Sequence, residues 1–295
     1  MPMEHAIRKA ETLIEALGYI RKFRDRITVI KLGGSAMEDR DALTATLQDV
    51  IFMETVGLRP ILVHGGGKPI DRAMSQAGLT PRKVRGLRYT DEQTLEIVVH
   101  VLLKEINADI VGQVKRLGGR AVGMHGDDLR VLHGRRTFLT VEGGERIDLG
   151  LVGEVTHVDR DLLEALCRAD IVPVIPSLVW DDEADRWLNV NADNAAAAVA
   201  AHVQADKLVL LTDTPGILRD RRDEDSVISS LNAQQCDELI RSGVIDSGMI
   251  PKVQACLDSL QAGVKKTHII DGRLRHSLLL EIFTDKGVGT EITMS

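Results

Sequence analysis

Short apolar runs alternate with longer amphipathic segments along most of the chain, and this alternation predicts an α/β fold. The runs carry Val, Ile and Leu at consecutive positions, which is typical of strands buried on both faces of a parallel sheet. They lie at Ile27–Leu32, Pro60–His64, Ala121–Met124, Ile171–Ile175, Leu208–Thr212 and Thr267–Asp271. Helical periodicity lies between them, at 40–56, 68–77, 91–117, 159–168, 192–204, 232–242, 251–262 and 273–283.

Two β-rich segments interrupt this rhythm. One covers 130–157, with a predicted turn at Gly143-Gly144, and the other covers 178–190, with a predicted hairpin tip at Asp181-Asp182-Glu183. Hairpins above the strand ends of an α/β sheet are natural lids. No linker divides the chain, and we place the boundary between an N-terminal lobe, 27–195, and a C-terminal lobe, 196–295.

An amphipathic helix is predicted at 4–24, ahead of the first strand. Its apolar positions recur at helical spacing, and Gly18 is a candidate kink. Such a stripe must be buried, either on its own subunit or in a contact between subunits. Both interpretations stay open, and residues 1–26 are treated as a separate N-terminal helix.

Composition excludes several classes of protein. The 295 residues include 37 basic and 44 acidic ones, for a net charge of −7, which argues against a nucleic-acid binder. The first residues are too charged for a signal peptide, and the most apolar stretch, Ile171–Trp180, is about half as long as a membrane span. The three cysteines form no C-x-x-C pair, and no cluster has the spacing of metal ligands. We therefore expect a cytoplasmic protein that contacts no membrane.

Glycine-rich loops follow the first two strands, and they are the clearest candidates for chemistry. They read Gly33-Gly34-Ser35 and Gly65-Gly66-Gly67-Lys68. Runs of glycine let backbone N–H groups approach an oxyanion. Neither loop has the spacing of a P-loop or of a dinucleotide fingerprint. The pair predicts a site for two anions, such as a phosphate donor and its acceptor.

Two lysines have positions that suit such a site. Lys31 ends the first strand, where open α/β sheets bind ligands. Lys252 follows Pro251 in the first turn of a predicted helix, where a cation is unfavourable unless an anion binds there. The alternative for each is an ordinary surface lysine.

Further polar residues follow later strands. In an extended chain Asn189, Asn191 and Asp193 share one face, although Asp193 or Asn194 could instead cap the next helix. Asp213 could face a ribose, a base or Mg²⁺, or serve as a turn residue.

Arg88 offers a cation for a second carboxylate, and His64 is interpreted as a loop-packing residue. Together with the glycine loops and the lysines, these residues favour phosphoryl transfer over acid–base chemistry.

Six segments, in chain order, resemble the amino-acid kinase family: IKLGGS, VHGGGK, GLR, NVNAD, LTDTPGIL and GMIPK. The resemblance covers about residues 27–295 and is strongest to the members that phosphorylate N-acetyl-L-glutamate in arginine biosynthesis. It implies a three-layer αβα sandwich around a mostly parallel sheet, in two lobes. The N-terminal lobe would bind N-acetyl-L-glutamate, and the C-terminal lobe would bind ATP with Mg²⁺.

The resemblance also implies a role for each matching residue. Lys31 and Lys252 would stabilise the transferred γ-phosphoryl group, and Asp193 would hold both lysines. The phosphoryl group would contact Gly33, Gly34 and Gly66. The acetylglutamate would contact Gly66, Gly67, Arg88 and Asn189. The nucleotide would contact Thr212, Asp213 and Gly216. The γ-carboxylate would attack directly, without a general base.

The N-terminal helix and the segment 281–290 resemble those of arginine-inhibited, hexameric members. Carried over, the residues that contact L-arginine would be Tyr19, His268, Glu281 and Gly287. The resemblance also implies a homo-oligomer, a hexamer built as a trimer of dimers. Residues 123–128 depart from the pattern, because no lysine precedes the aspartates there.

Two alternatives remain open. The chain could be another amino-acid kinase, acting on glutamate, aspartate or carbamate. It could also be a catalytically weak arginine sensor, although retention of both lysines and of Asp193 favours an enzyme.

Overall fold

The computed structural model describes residues 3–140, 144, 146–246, 248–284 and 287–295. The helices are α1 Met3–Phe23, α2 Gly34–Glu38, α3 Arg40–Thr55, α4 Gly67–Gln76, α5 Glu92–His100, α6 Ala108–Arg116, α7 Arg160–Arg168, α8 Ala192–His202, α9 Ala233–Arg241, α10 Ile250–Gln261 and α11 Ser277–Ile282. A π-helical segment, Val101–Asn107, joins α5 to α6. The strands are β1 Ile27–Leu32, β2 Arg59–His64, β3 Lys83–Val84, β4 Leu87–Arg88, β5 Ala121–Gly123, β6 Leu132–Arg136, β7 Leu139–Thr140, β8 Arg146–Ile147, β9 Gly153–Val158, β10 Val172–Pro176, β11 Leu178–Asp181, β12 Arg186–Asn189, β13 Lys207–Thr212, β14 Ser230–Asn232, β15 Lys266–Asp271 and β16 Thr290–Thr293.

An eight-stranded sheet forms the centre of the molecule, in the order β14-β16-β15-β13-β1-β2-β10-β5. The six strands predicted from apolar runs are all in it, with ends shifted by no more than one residue. These six pair in parallel, and β16 is antiparallel to β15. Lys31 of β1 lies opposite Val63 of β2 and Leu210 of β13. The loops after these three strands therefore leave the sheet at the same edge.

Both faces of the sheet are covered by helices, which is why its strands are apolar at consecutive positions. Val29 and Ile61 belong to a core that includes side chains of α7, α8 and α10. Their chain neighbours Ile30 and Leu62 belong to a second core with α3, α6 and α11. The predicted three-layer αβα sandwich is confirmed. The predicted lobe boundary falls within α8, and the division into two lobes stays a prediction.

The two predicted β-rich insertions form a second sheet, in the order β12-β11-β6-β9. β11 and β12 are an antiparallel hairpin, and the Asp181 carboxylate accepts hydrogen bonds from the Glu183 and Ala184 amides at its tip. At the predicted turn after β7, Gly144 has a φ of +81°, while Gly143 lies outside the described residues. The hairpin β3–β4 was not predicted from the sequence.

Two helix predictions need correction. The helix predicted at 91–117 contains the π-helical segment in its middle. The helix predicted at 273–283 starts only at Ser277, because His276 takes a left-handed φ of +59° that a helix does not accommodate. The His276 ring also pairs with the buried carboxylate of Asp49, at 2.6 Å.

Helix α1 is continuous through Gly18, and its last turns pack on the rest of the chain. Tyr19 packs edge-on against Phe283, with ring centroids 6.2 Å apart. In contrast, Leu13 and Ile14 are 70% and 71% exposed. Most of the apolar stripe is therefore not buried against its own subunit.

None of the helices in the described ranges is long and apolar enough to cross a lipid bilayer.

Candidate active site

A cavity of about 370 Å³ lies at the edge of the main sheet where β1, β2 and β13 end. Its walls come from the two glycine loops, the β3–β4 hairpin and the first turns of α8 and α10. The lining includes these sequence-predicted residues: Lys31, Gly33, Gly34, Gly66, Gly67, Arg88, Asn189, Asp193, Thr212, Asp213 and Lys252. Residues that are up to 221 positions apart in the chain thus meet at one site, since Lys31 and Lys252 both line it.

Asp193 joins the two lysines. Its Oδ1 lies 2.8 Å from the Lys31 Nζ, and its Oδ2 lies 2.9 Å from the Lys252 Nζ. Asp193 and Lys31 are buried, at 5% and 7% exposure, so Lys31 is not the ordinary surface lysine of the alternative interpretation. Burial raises the pKa of Asp193, but the two ammonium groups outweigh burial and hold that pKa at about 2. The group is a fixed carboxylate that positions two cations.

The helix cap of α8 is Asn191 and not Asp193 or Asn194. The Asn191 side chain accepts hydrogen bonds from the backbone amides of Asp193 and Asn194, at 2.8 and 3.1 Å. The expectation that Asp193 or Asn194 could cap this helix is therefore wrong. Because Asn191 accepts from the free N–H groups at the helix start, the Asp193 carboxylate is available to bind the two lysines.

The glycine loops place two helix N-termini on the cavity wall. Gly33 is the N-cap of α2 and Gly66 is the N-cap of α4, and in the described part of the chain neither helix start has a side-chain cap. Free N–H groups at such ends favour bound anions. A Cβ at Gly33 would lie 2.4 Å from the Leu211 carbonyl oxygen, and one at Gly66 would lie 2.8 Å from Leu102. A side chain at position 33 would therefore clash with the backbone, and one at position 66 would require Leu102 to move.

Arg88 lies on the opposite wall, on β4. Its guanidinium pairs with Asp71 at 2.6 Å and donates to the Gly67 carbonyl at 3.1 Å. The predicted cation is therefore present in the cavity, held by a carboxylate that the sequence did not reveal. Asn189 is fixed in turn by a hydrogen bond from its amide to the Thr90 hydroxyl, at 3.1 Å.

A second cavity, of about 300 Å³, adjoins the first. The predicted nucleotide contacts Thr212, Asp213 and Gly216 all line it, and Thr212, Asp213 and Lys252 line both cavities. Its remaining wall is largely apolar: Ile217, Leu218, Val244, Ile245 and Met249. The second cavity therefore suits a ligand that has an apolar ring and an anionic end. The ring would lie against the apolar wall, and the anionic end would lie at Lys252.

His64 is fully buried, and burial lowers its pKa to about 4. Its Nδ1 lies 3.1 Å from the Gly65 carbonyl oxygen. This agrees with the interpretation as a loop-packing residue. Within the described ranges, no group of three or more His, Cys, Asp or Glu side chains could hold a metal ion.

A third cavity, of about 580 Å³, lies beside the end of α1. It brings together all four predicted effector contacts, Tyr19, His268, Glu281 and Gly287. The His268 Nδ1 and the Glu281 Oε1 are 2.7 Å apart, and the second Glu281 oxygen accepts from the Val288 and Gly289 amides.

The sequence missed further charged residues that line this third cavity, which are Lys22, Lys207, Lys266 and Glu291. Lys266 and Glu291 pair at 2.8 Å. Burial lowers the pKa of Lys207. Charged residues of both signs are what a zwitterionic ligand requires.

Two lysines on one carboxylate, uncapped helix ends and two adjoining cavities define a phosphotransferase site on an α/β sandwich. The chain belongs to the amino acid kinase family, whose sequence pattern matches residues 26–271. It is therefore a kinase. The acetylglutamate kinase of Heliobacterium modesticaldum is 47% identical over 98% of this chain and 99% of that protein. The acetylglutamate kinase of Methanobrevibacter smithii is 46% identical over 95% and 97%.

Solved structures show the same fold. The N-acetylglutamate synthase of Neisseria gonorrhoeae, complexed with coenzyme A and N-acetyl-glutamate, has a TM-score of 0.85 and 26% identity over 97% of this chain. This chain spans only 63% of the synthase. The same synthase complexed with coenzyme A and L-arginine has a TM-score of 0.82 and 25% identity over 97% of this chain and 65% of that one.

Proposed function

We propose that this kinase transfers the γ-phosphoryl group of ATP to the γ-carboxylate of N-acetyl-L-glutamate, forming N-acetyl-L-glutamyl 5-phosphate in arginine biosynthesis. The observation that carries the proposal is the Lys31–Asp193–Lys252 array, which lies where the two cavities meet. The relatives that cover nearly the whole chain support the choice of acceptor. We expect the protein to act in the cytoplasm.

The site residues then divide between donor and acceptor. ATP would lie in the second cavity, against Thr212, Asp213 and Gly216. N-acetyl-L-glutamate would lie in the first, against Gly66, Gly67, Arg88 and Asn189. The transferred group would sit between them, against the two lysines and the N–H groups of the glycine loops at Gly33, Gly34 and Gly66. A γ-carboxylate, with an ordinary pKa of about 4.3, is ionised at neutral pH and attacks without a general base.

Mg²⁺ would accompany ATP. In such sites it binds mainly phosphate oxygens and water, with one or two carboxylates. Asp213 lines both cavities and offers the oxygen donor that this ion prefers. The ion would neutralise charge on the phosphates, while the lysines and N–H groups hold the transferred group in place.

The acceptor is tested by coupled assays of ADP release with N-acetyl-L-glutamate, glutamate, aspartate and carbamate in turn. Turnover with N-acetyl-L-glutamate should exceed turnover with the other three at equal concentration. Faster turnover with one of those would reassign the substrate. No turnover with any of them would favour the sensor interpretation.

Arg88→Lys should raise the KM for N-acetyl-L-glutamate about tenfold and leave the KM for ATP nearly unchanged. Lysine keeps the charge but loses the planar fork that holds the Gly67 carbonyl, Asp71 and a substrate carboxylate together. Steady-state kinetics with each substrate varied in turn give both constants. An effect confined to the KM for ATP would move Arg88 to the nucleotide side.

We further propose that L-arginine binds in the third cavity and inhibits the enzyme. The guanidinium would face Glu281 and Glu291, and the carboxylate would face Lys207 or Lys266, so that each of these two groups meets a charge of opposite sign. Tyr19, His268 and Gly287 would complete the contacts. The synthase of similar fold that was solved with L-arginine supports this choice of ligand.

The exposed stripe of α1 is proposed to pair with the same helix of a neighbouring dimer, which would close a hexamer of three dimers. Met3, Ile7, Leu13, Ile14 and Leu17 supply the apolar surface for this contact. Arginine between α1 and the rest of the chain would then favour one form of the ring, which requires different arginine affinities in the two forms.

Deleting residues 1–24 should leave an active dimer that L-arginine does not inhibit, because the stripe and Tyr19 are both lost. The double substitution Leu13→Glu, Ile14→Glu breaks the stripe but keeps Tyr19. It should give a dimer that still binds arginine but has lost cooperativity. Light scattering measures the mass, calorimetry measures arginine binding, and inhibition curves measure the response. A hexameric truncated protein, or one inhibited like the full chain, would contradict the proposal.

A further inference from the structure

We infer that Asn107 and His64 are positioning residues of the phosphoryl site, which together orient the peptide group between Gly65 and Gly66 so that the Gly66 N–H faces the cavity. The chemical role of that N–H rests on the proposed function. The orientation itself follows from four hydrogen-bonding groups in the buried layer behind the glycine loop.

The first link fixes the Asn107 side chain. Its amide nitrogen lies 3.0 Å from the carbonyl oxygen of Val174, on β10. A carbonyl oxygen only accepts hydrogen bonds, so the side-chain oxygen of Asn107 could not take this position. The amide therefore has one orientation.

The second link fixes the proton on His64. The same amide nitrogen lies 3.0 Å from the His64 Nε2. Because an amide nitrogen only donates, Nε2 must be the acceptor and the ring proton must be on Nδ1. Nδ1 then donates to the Gly65 carbonyl oxygen, at 3.1 Å. His64 and Asn107 are both fully buried, so water does not compete for these bonds.

The third link is the peptide group itself. In a trans peptide the C=O and the following N–H point in opposite directions. The Gly65 carbonyl is turned inward to His64, and the Gly66 N–H is consequently turned outward. Gly66 lines the cavity and is the N-cap of α4, whose start has no side-chain cap.

Stability alone does not account for Asn107. Its Oδ1 is buried and has no hydrogen-bond partner among the described residues, an arrangement that lowers stability. It also lies in the π-helical segment, a local geometry often found at functional sites. Gly123 leaves space for it, since a Cβ there would lie 2.1 Å from the Asn107 Oδ1. The role of Asn107 therefore lies in the two hydrogen bonds that its amide nitrogen donates.

Two amide substitutions at position 64 separate positioning from packing. In His64→Asn the side-chain amide reaches the place of Nδ1 and can donate to the Gly65 carbonyl. In His64→Gln the side-chain amide reaches the place of Nε2, where its oxygen can accept from the Asn107 amide, but the donor to the Gly65 carbonyl is lost. The Gln variant should lose about 10- to 100-fold in kcat with little change in either KM, and the Asn variant should be at least about tenfold faster than it.

Packing alone predicts the reverse order, because Gln is closer to His in volume than Asn and leaves the smaller cavity. Melting temperatures should therefore rank Gln above Asn while kcat ranks Asn above Gln. Equal kcat values, or kcat values that follow the melting temperatures, would overturn the inference.

The tautomer is measured independently of any substrate. In the full-length protein with ¹⁵N-labelled histidine, His64 should show a protonated Nδ1 and an unprotonated Nε2. Asn107→Leu should give a mixture of both tautomers. A proton on Nε2 in the unsubstituted protein would overturn the inference whatever reaction the enzyme catalyses. If no acceptor is turned over, the proposed function fails and this spectrum still decides the orientation.

Discussion

Lys31→Ala and Lys252→Ala should each lower kcat by about 10²-fold or more, with much smaller changes in the KM values for ATP and the acceptor. Both ammonium groups are held by Asp193 at the junction of the cavities, where negative charge grows on the transferred group. Their interactions are therefore stronger in the transition state than in the ground state. Steady-state kinetics of the two variants measure the effect.

Lys68→Ala is the matched comparison for these variants. Lys68 lies on the same cavity wall, but its Nζ pairs with Glu38 at 2.6 Å and is well exposed. Removing it should cost much less in kcat than removing Lys31 or Lys252. If either of those two alanine variants kept near-normal kcat, the role assigned to that lysine would be wrong.

Asp193→Asn should also reduce kcat by about 10²-fold or more, although Asp193 need not touch substrate. Asparagine has the same shape but removes the charge that keeps two cations together in a mostly buried site. The cap of α8 survives because Asn191 provides it. Breaking the buried pair should cost about 3 kcal/mol or less, since the lysines also face the cavity. The variant should therefore remain folded.

Asp159→Ala controls for the loss of stability. Asp159 caps α7 and is outside the set of residues that line the two cavities, so its removal should cost about 1 kcal/mol and leave kcat close to normal. Inorganic tripolyphosphate should raise the melting temperature of Asp193→Asn more than that of the unsubstituted protein, because it replaces the lost negative charge. A large fall in melting temperature with normal specific activity would make Asp193 a structural residue only.

The sheet could be predicted from the sequence because each central strand is apolar at consecutive positions. β1 has Val29 and Ile30 directly before Lys31, and β2 is apolar from Pro60 to Val63, directly before His64. The glycine loops then located the cavity, because parallel strands end at one edge of the sheet. The short helix α2 was missed, since five residues are too few to show helical periodicity.

Contacts between distant residues could not be predicted in the same way. Nothing near Arg88 in the chain indicates that Asp71 pairs with it, and nothing near His64 indicates Asn107. The two candidate caps named for α8, Asp193 and Asn194, are wrong because all the polar residues of the run 189–194 are good caps, and only the observed start at Ala192 selects Asn191. Local pattern thus predicted the elements, while tertiary packing decided which polar groups meet.

The π-helical segment amounts to one extra residue accommodated within an otherwise α-helical rod of 25 residues, Glu92–Arg116. Each residue of an α-helix turns the chain by about 100°. If the same residues instead formed regular α-helix throughout, with none removed, α6 would be rotated by about that angle relative to α5. Ile110 and Val114 would leave the second core, and the amide at 107 would turn away from β2. The extra residue is therefore absorbed without turning α6 away from the core, and a substitution that made this segment regular without shortening it would misalign the wall of the active site.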